Sequence, residues 1–207
     1  MKISARKFVK MIKDICEEEN IDLKSYAGDY IFKLSKNGES RYVYGYKFEL
    51  NKTSVGSICG DKAGSFEILT DSDVDCVEHE FFIAPSDLMY MDKGGTFKEM
   101  VEYLEKHEKV VCKPNDGHGG HNVFLVTNKE ELETAADKIF SKTRGMAISP
   151  YYDIKNEYRV IVLNDTVKLI FSKKRNTSSW KHNLSEGAVP EIVKDKETID
   201  ILTRDSA

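Results

Sequence analysis

The fold is decided by the stretch Val110-Val-Cys-Lys-Pro-Asn-Asp-Gly-His-Gly-Gly-His-Asn-Val-Phe-Leu-Val126. Two short β-rich runs, 110–113 and 123–126, flank a loop, and the first run ends at Lys113. The loop contains Gly117, Gly119 and Gly120. Because glycine has no Cβ, backbone N–H groups can approach a bulky anion closely, and a nearby ammonium can neutralise one of its charges. Our working hypothesis is that this hairpin covers the phosphates of ATP.

The loop differs from two common phosphate-binding motifs. It is not a Walker A motif, because it has no Gly-Lys-Ser/Thr and because a strand follows it where a P-loop has a helix. For the same reason it does not open a Rossmann helix. A glycine loop between two strands does cover the phosphates in protein kinases. A flexible hairpin turn without a ligand stays open as the alternative interpretation.

Length and composition describe an ordinary globular protein. The 207 residues can bury a core in one domain or in two small ones. The net charge of −4, with both signs interspersed, argues against a general nucleic-acid or membrane surface. The N-terminus lacks the apolar core of a signal peptide, and no apolar run approaches the roughly 20 residues of a membrane span. We therefore expect a cytoplasmic protein with reduced, buried thiols at Cys16, Cys59, Cys76 and Cys112.

Periodicity and capping signals predict alternating helices and strands. Thr96 with Glu99, and Asn128 with Glu131, form two capping boxes that are predicted to open helices ending near 108 and 141. Residues 30–34 stay open between strand and helix. The other predicted helices cover 4–20 and 54–69, with a last one capped by Asp195. The other predicted strands cover 42–50, 79–83, 146–149, 158–163, 167–171 and 189–193, and a turn at Asn164-Asp165 joins two of them.

Two motifs begin a resemblance to the ATP-grasp superfamily that runs from about Phe48 to the end of the chain. Residues 50–63, which include Asp61-Lys62, are similar to the helix that opens the ATP-grasp module. Lys113-Pro114 and the glycine loop are similar to the family's Lys-Pro and phosphate loop.

Two further motifs follow in the family's order. Ile148-Ser-Pro-Tyr-Tyr-Asp-Ile154, with Glu157-Tyr-Arg-Val160 after it, resembles the adenine-binding hinge and the ribose carboxylate. Lys173-Lys-Arg175, followed by Trp180-Lys-His-Asn-Leu-Ser-Glu-Gly-Ala188, is similar to a stretch of ligases that join glutamate or other amino acids to a carboxylate. Four motifs in the right order identify the chain as a member of this superfamily.

The resemblance implies an α+β fold in which two subdomains with antiparallel sheets sandwich ATP. Residues 1–52 would form a reduced N-terminal region and 53–207 the ATP-grasp domain, with subdomains at about 96–149 and 150–207. The family carries its Mg²⁺ ligands on later strands, so we expect a truncated C-terminal part. The Mg²⁺ ligands would then lie beyond residue 207 or on a partner. A homo-oligomer would cover the sheet edge left by the truncation.

The resemblance also implies a nucleotide-binding set. Lys62 and Lys113 would be point charges on the phosphates, with a solvated helix lysine as the alternative for Lys62. The glycines would supply backbone donors and a mobile lid. The implied cofactor-binding residues are Lys62, Lys113, Gly117, Gly119, Gly120, Ser149, Tyr151, Tyr152, Ile154 and Glu157. A metal site at Asp116, His118 and His121 is an alternative that lacks a further ligand.

The implied catalytic residues are Arg159, Lys173, Arg175 and Asn183. Glu157 would accept the ribose hydroxyls, and Arg159, two residues further along a strand, would share its cleft. A solvated ion pair between Glu157 and Arg159 is the alternative. The other three catalytic residues would meet the γ-phosphate and an acyl-phosphate, since phosphoryl transfer needs fixed positive charge. Lys174 is predicted to face away from them.

The function implied is an ATP-dependent carboxylate–amine (or thiol) ligase that works through an acyl-phosphate with Mg²⁺. Its partners would be ATP and small-molecule or peptide carboxylate and amine substrates, without nucleic acid or membrane. An alternative hypothesis is a nucleotide-binding or assembly module without independent catalysis, because the strands with the Mg²⁺ ligands are missing. An α/β interaction domain without any ligand is a third.

Overall fold

The computed structural model describes residues 2–90, 95–174 and 187–204. The chain divides into two compact units, Met1–Ser57 and Ile58–Ala207. None of the helices in these described ranges combines the length and the apolar character that a membrane crossing requires.

The first unit is a helix on a four-stranded antiparallel meander. Its elements are α1 (Lys2–Glu18), β1 (Asp22–Tyr26), β2 (Ile31–Lys36), β3 (Glu39–Tyr44) and β4 (Lys47–Phe48), with α2 (Thr53–Ile58) at its end. The amphipathic face of α1 buries Ile12 and Cys16 against Phe32 and Val43 of the sheet. The stretch 30–34, which periodicity left open, is mainly strand β2.

The second unit begins with a sheet of order β5-β8-β6-β7, in which every pair is antiparallel. Its elements are α3 (Lys62–Asp71), β5 (Glu80–Ile83), a 3-10 helix (Pro85–Tyr90), α4 (Phe97–His107), β6 (Val110–Pro114), β7 (Phe124–Val126), α5 (Lys129–Phe140) and β8 (Gly145–Pro150). Side chains of α4 and α5 share one buried cluster with Cys112 of β6 and Ile148 of β8. Because strand side chains alternate between faces, Lys113 and Ser149 point to the other face of this sheet.

A second, three-stranded antiparallel sheet completes this unit in the order β11-β10-β9. Its strands are β9 (Tyr158–Leu163), β10 (Thr166–Lys174) and β11 (Val189–Ile192), and α6 (Lys196–Arg204) follows. The predicted hairpin is confirmed, since Asn164 and Asp165 form its two-residue turn with φ of 49° and 55°. Both residues take the left-handed conformation, which Asn and Asp tolerate better than most residues. Asp195 caps α6 as predicted, with its Oδ2 accepting from Thr198 N at 2.8 Å.

Four predictions need correction. The single strand predicted over 42–50 is the end of β3 and the short β4, because a turn at Gly45 and Tyr46 separates them. The single helix predicted over 54–69 is two helices, because Asp61 adopts an extended conformation and its Oδ1 accepts from Gly64 N at 2.7 Å, which starts α3 anew. Cys59 and Cys76 are free but exposed, not buried, because they lie in connecting segments before α3 and β5. The second capping box is shifted: Glu131 Oε2 accepts from Thr127 N and Oγ1, which together offer two donors, rather than from the Asn128 backbone.

Removal of the Thr96 cap is expected to destabilise the protein by about 1 kcal/mol. Thr96 Oγ1 accepts from Glu99 N at 3.3 Å, and Glu99 Oε2 accepts from Thr96 N at 2.9 Å. Thr96→Ala leaves the Glu99 N–H without its acceptor, and urea unfolding measures the loss. Thr134→Ala, on the exposed face of α5, is the matched control and should change stability by less than about 0.5 kcal/mol. Equal unfolding midpoints for the two variants would contradict the prediction.

Candidate functional site

A cavity of about 460 Å³ lies in the second unit, where β6, β8 and the glycine loop converge. It collects residues that are far apart in the sequence. All the residues predicted to bind the cofactor line it: Lys62, Lys113, Gly117, Gly119, Gly120, Ser149, Tyr151, Tyr152, Ile154 and Glu157. Arg159 lines it as well. The structure therefore brings these side chains together, while their roles in binding stay predictions.

The remaining predicted catalytic residues are placed differently. Lys173 does not line this cavity; it lies on β10 with its side chain buried and its Nζ donating to Glu157 Oε1. Lys174 is exposed and pairs with Glu191. Arg175 and Asn183 lie outside the described residues.

Lys113 supplies a half-buried positive charge to the cavity. It is the fourth residue of β6, and its Nζ donates to Ser149 Oγ at 3.2 Å. Burial, reinforced by the charge of Lys62, lowers the pKa of Lys113 to about 8. In the described part of the chain Lys113 forms no ion pair with a carboxylate. A buried ammonium beside a second ammonium is stabilised by an anionic ligand, since the charged form is otherwise poorly compensated.

Lys62 ties α3 to the base of the glycine loop. Its Nζ donates to the carbonyl oxygens of Pro114 at 3.0 Å, Asn115 at 2.9 Å and Gly117 at 2.6 Å. Burial lowers the pKa of Lys62, and the nearby charges of Asp116 and Asp61 oppose the shift. An ammonium has three N–H groups, so all of them are directed at the loop. Lys62 is therefore not a solvated helix lysine, and a phosphate would have to replace one of these carbonyls.

The loop has a backbone that only glycine accommodates well. Gly119 and Gly120 have φ of 73° and 77°, in the left-handed region that favours glycine. A Cβ on Gly117 would lie 2.8 Å from Pro114 Cβ, which is too close for a real contact. The predicted glycine positions are thus required by conformation at two sites and by space at the third.

The hinge between the two sheets is fixed by its own hydrogen bonds. Tyr151 N donates to Lys109 O at 3.0 Å, and Ile154 N donates to Tyr152 O at 3.0 Å. The Lys109 ammonium lies 3.9 Å from the centre of the Tyr151 ring, a cation–π contact. Val111 and Val123 add apolar surface to the wall of the cavity. A slot with apolar walls and backbone polar groups at its edge suits a planar heterocycle.

Glu157 and Arg159 are close enough to interact at the cavity. Glu157 Oε1 lies 3.6 Å from Arg159 Nη2 and also accepts from the buried Lys173. The side chain of Glu157 is 29% exposed and that of Arg159 is 59% exposed. The shared cleft and the ion pair, which were alternatives, therefore occur together: the pair forms at the rim of the cavity.

His79 is a cavity residue that sequence reasoning missed. Its Nδ1 lies 2.8 Å from Val77 O, so Nδ1–H donates, and its buried Nε2 has no hydrogen-bond partner among the described residues. Burial, with the charge of Lys113, lowers the pKa of His79 to about 4, which keeps the ring neutral. In the β5–β8 ladder Glu80 lies opposite Ile148, whose side chain packs against the helices. Strand alternation could therefore have placed His79 on the cavity face.

The described residues contain no ready-made cluster of metal-ligating side chains. Within 2–90, 95–174 and 187–204, no group of three or more His, Cys, Asp or Glu side chains could hold a metal ion. This also removes the alternative of a metal site at Asp116, His118 and His121. Where a protein holds Mg²⁺ beside a nucleotide, one or two well-placed carboxylates act together with phosphate oxygens.

Comparisons with known proteins give a family from the sequence and a fold from solved structures. The family model described as "Prokaryotic glutathione synthetase, ATP-grasp domain" matches residues 93–203. The D-alanine–D-alanine ligase of Bacillus anthracis in complex with ATP superposes with a TM-score of 0.52 and 17% identity, over 72% of this chain and 44% of that one. A D-cycloserine synthetase, DcsG, superposes with a TM-score of 0.54 and 13% identity, over 75% and 53%.

The two structural similarities show the fold alone at these identities, and the chain spans about half the length of those proteins. A comparison with curated protein sequences gave no significant match. The family model covers more than half of the chain. The chain therefore belongs to the prokaryotic glutathione synthetase ATP-grasp family and has the α+β ATP-grasp fold.

Proposed function

We propose that the chain binds ATP in the 460 Å³ cavity and serves an ATP-dependent ligase that joins a carboxylate to an amine or thiol. One observation carries the proposal: two lysines converge on a glycine loop, and Lys113 is half-buried there without a carboxylate partner in the described part of the chain. Such a site favours a polyanion, and the family supplies its identity as ATP. The names of the matched family and of both structural neighbours denote synthetases or ligases.

ATP would lie with its base in the apolar slot of the hinge and its phosphates under the glycine loop. Lys113 neutralises phosphate charge, and the loop amides that face the cavity donate to phosphate oxygens. Glu157 accepts from the ribose hydroxyls after its contact with Arg159 loosens. Freed in this way, the Arg159 guanidinium stabilises negative charge that develops near the γ-phosphate.

Ligation would proceed in two displacements. An oxygen of the substrate carboxylate attacks the γ-phosphorus, the bond to the β-phosphate oxygen breaks, and ADP leaves. The resulting acyl-phosphate is then attacked at its carbonyl carbon by the amine or thiol, inorganic phosphate leaves, and the nucleophile loses a proton. Positioning and charge neutralisation supply most of the catalysis of phosphoryl transfer, and cationic side chains at the cavity suit both.

Calorimetric titration with ATP tests this proposal. We expect one ATP per chain, and we expect binding to persist when a chelator removes Mg²⁺, because the proposed contacts come from lysines and backbone amides. Adenosine should bind at least about tenfold more weakly, since it lacks the phosphates that meet Lys113. A sample that is folded by circular dichroism but takes up no ATP at millimolar concentration would overturn the proposal.

A further inference from the structure

The first turn of α3 is capped partly from a residue more than fifty positions away. The first N–H groups of a helix have no partner within the helix. Gly64 N donates to Asp61 Oδ1 at 2.7 Å, which is a local cap. Lys62 N donates to Asn115 O at 3.2 Å, and Ala63 N donates to Asn115 Oδ1 at 3.1 Å. Asn115 therefore satisfies two donors of the helix that carries Lys62.

Asn115 is itself firmly held at the base of the glycine loop. Asn115 is only 5% exposed. Its backbone N–H donates to the carbonyl oxygen of Gly145, the first residue of β8, at 3.0 Å. Its carbonyl oxygen also accepts from the Lys62 ammonium at 2.9 Å. One buried residue thus joins the first turn of α3, the loop and β8.

We propose that Asn115 is a positioning residue for phosphate binding, which holds Lys62 and the base of the glycine loop as one unit. The inference rests on the proposed ATP site. Lys62 has a long side chain with much rotamer freedom, and fixing the backbone N–H groups of Lys62 and Ala63 reduces the entropy that is lost when an anion binds. The Lys62 ammonium in turn holds the carbonyl oxygens of Pro114, Asn115 and Gly117, which form the base of the loop.

The side-chain oxygen of Asn115 is the atom on which this depends. Ala63 is 3% exposed, so its N–H has little access to water if Oδ1 is removed. Asn115→Ala removes this acceptor and leaves the backbone contacts in place. The first turn of α3 should then loosen, and Lys62 should lose its fixed orientation toward the loop.

Calorimetric titration of four variants tests the proposal: Asn115→Ala, Lys62→Met, the double variant, and Asn128→Ala. Asn128 is a matched control, because its Oδ1 caps α5 by accepting from Glu131 N at 2.9 Å and the residue does not line the cavity. Asn115→Ala should weaken ATP binding about tenfold and leave adenosine binding, measured by equilibrium dialysis, unchanged. In the Lys62→Met background, Asn115→Ala should lower the affinity for ATP by less than about twofold, because its effect is transmitted through Lys62. Asn128→Ala should bind ATP like the wild type.

The outcomes separate this inference from the proposed function. A wild type that binds ATP, with Asn115→Ala binding equally well, overturns this inference alone. If Asn115→Ala weakens the binding of ATP and adenosine equally, Asn115 has a general structural role and the inference is overturned. The same holds if it weakens ATP binding equally with lysine and with methionine at position 62. A wild type that binds no ATP overturns both. If Asn115→Ala does not fold, Asn115→Ser replaces it, because serine keeps an acceptor on a shorter side chain. Asn115→Ser should weaken ATP binding about threefold, and this effect must again disappear in the Lys62→Met background.

Discussion

Replacement of Lys113 by methionine is expected to weaken ATP binding by about a hundredfold or more. The Lys113 ammonium is half-buried near the end of β6 and is neighboured by the charge of Lys62. Methionine keeps a flexible stem of similar length, so the change removes mainly the charge and its hydrogen bonds. Truncation of a buried, charge-paired contact at a binding site costs about 2–5 kcal/mol, and a hundredfold in affinity is about 2.7 kcal/mol.

The stability of this variant provides an independent check. In the described part of the chain no carboxylate pairs with Lys113 in the absence of ligand. Replacement of an uncompensated buried charge by an apolar group is therefore expected to be neutral or stabilising. Lys113→Met should unfold at the same urea concentration as the wild type or at a higher one while it fails to bind ATP. A loss of binding together with a loss of stability would point to misfolding.

Lys168→Met is the matched control for the binding measurement. Lys168 is exposed on β10 and does not line the cavity. The chemical change is identical, so the variant should bind ATP as the wild type does, with any difference limited to a weak long-range effect of charge. An ATP affinity of Lys113→Met within about threefold of the wild type would contradict the assignment of Lys113 to phosphate.

Local signals in the sequence predicted most elements of the second unit. Thr96 and Glu99 mark the start of α4, and Asn164-Asp165 marks the hairpin between β9 and β10. Each signal acts over a few residues, because a cap or a two-residue turn is decided by its own side chains. Strand β1 was not predicted, since Asp22–Tyr26 contributes only Leu23 to the packing beneath α1. Its place is decided by pairing with β2.

Most residues of the candidate site could be predicted from the sequence, but the contacts between them could not. The glycine loop and Lys113 were found because glycines next to a lysine are a recognisable pattern. The three carbonyls that meet the Lys62 ammonium, and the oxygen of Asn115 that meets Ala63, belong to partners more than fifty residues apart. Such pairings follow from the tertiary fold, and spacing in the sequence contains no signal for them. His79 was missed for a different reason: strand alternation places it on the cavity face, but a single histidine belongs to none of the motifs by which the site was found.

The affinity for ATP is expected to fall as the pH rises above about 8. The pKa of Lys113 in the free protein is about 8, lowered by burial and by Lys62. Phosphate favours the ammonium and raises this pKa in the complex, so above pH 8 binding must take up a proton. The affinity should then decrease by up to about tenfold per pH unit until the pKa of the complex is reached. Below about pH 7 the lysine is already charged, and no further gain is expected from it.

Lys113→Arg separates this titration from other effects of alkaline pH. A guanidinium keeps its charge throughout the range, so the variant should show a flat profile between about pH 7 and about pH 9.5 even if its affinity is lower. His79 does not contribute in this range, because its pKa of about 4 leaves it neutral. Calorimetry at fixed ionic strength in buffers of different ionisation enthalpy measures both the affinity and the proton uptake. A wild-type affinity that does not change over this range, or a Lys113→Arg profile that falls in parallel with it, would show that Lys113 does not meet the phosphates.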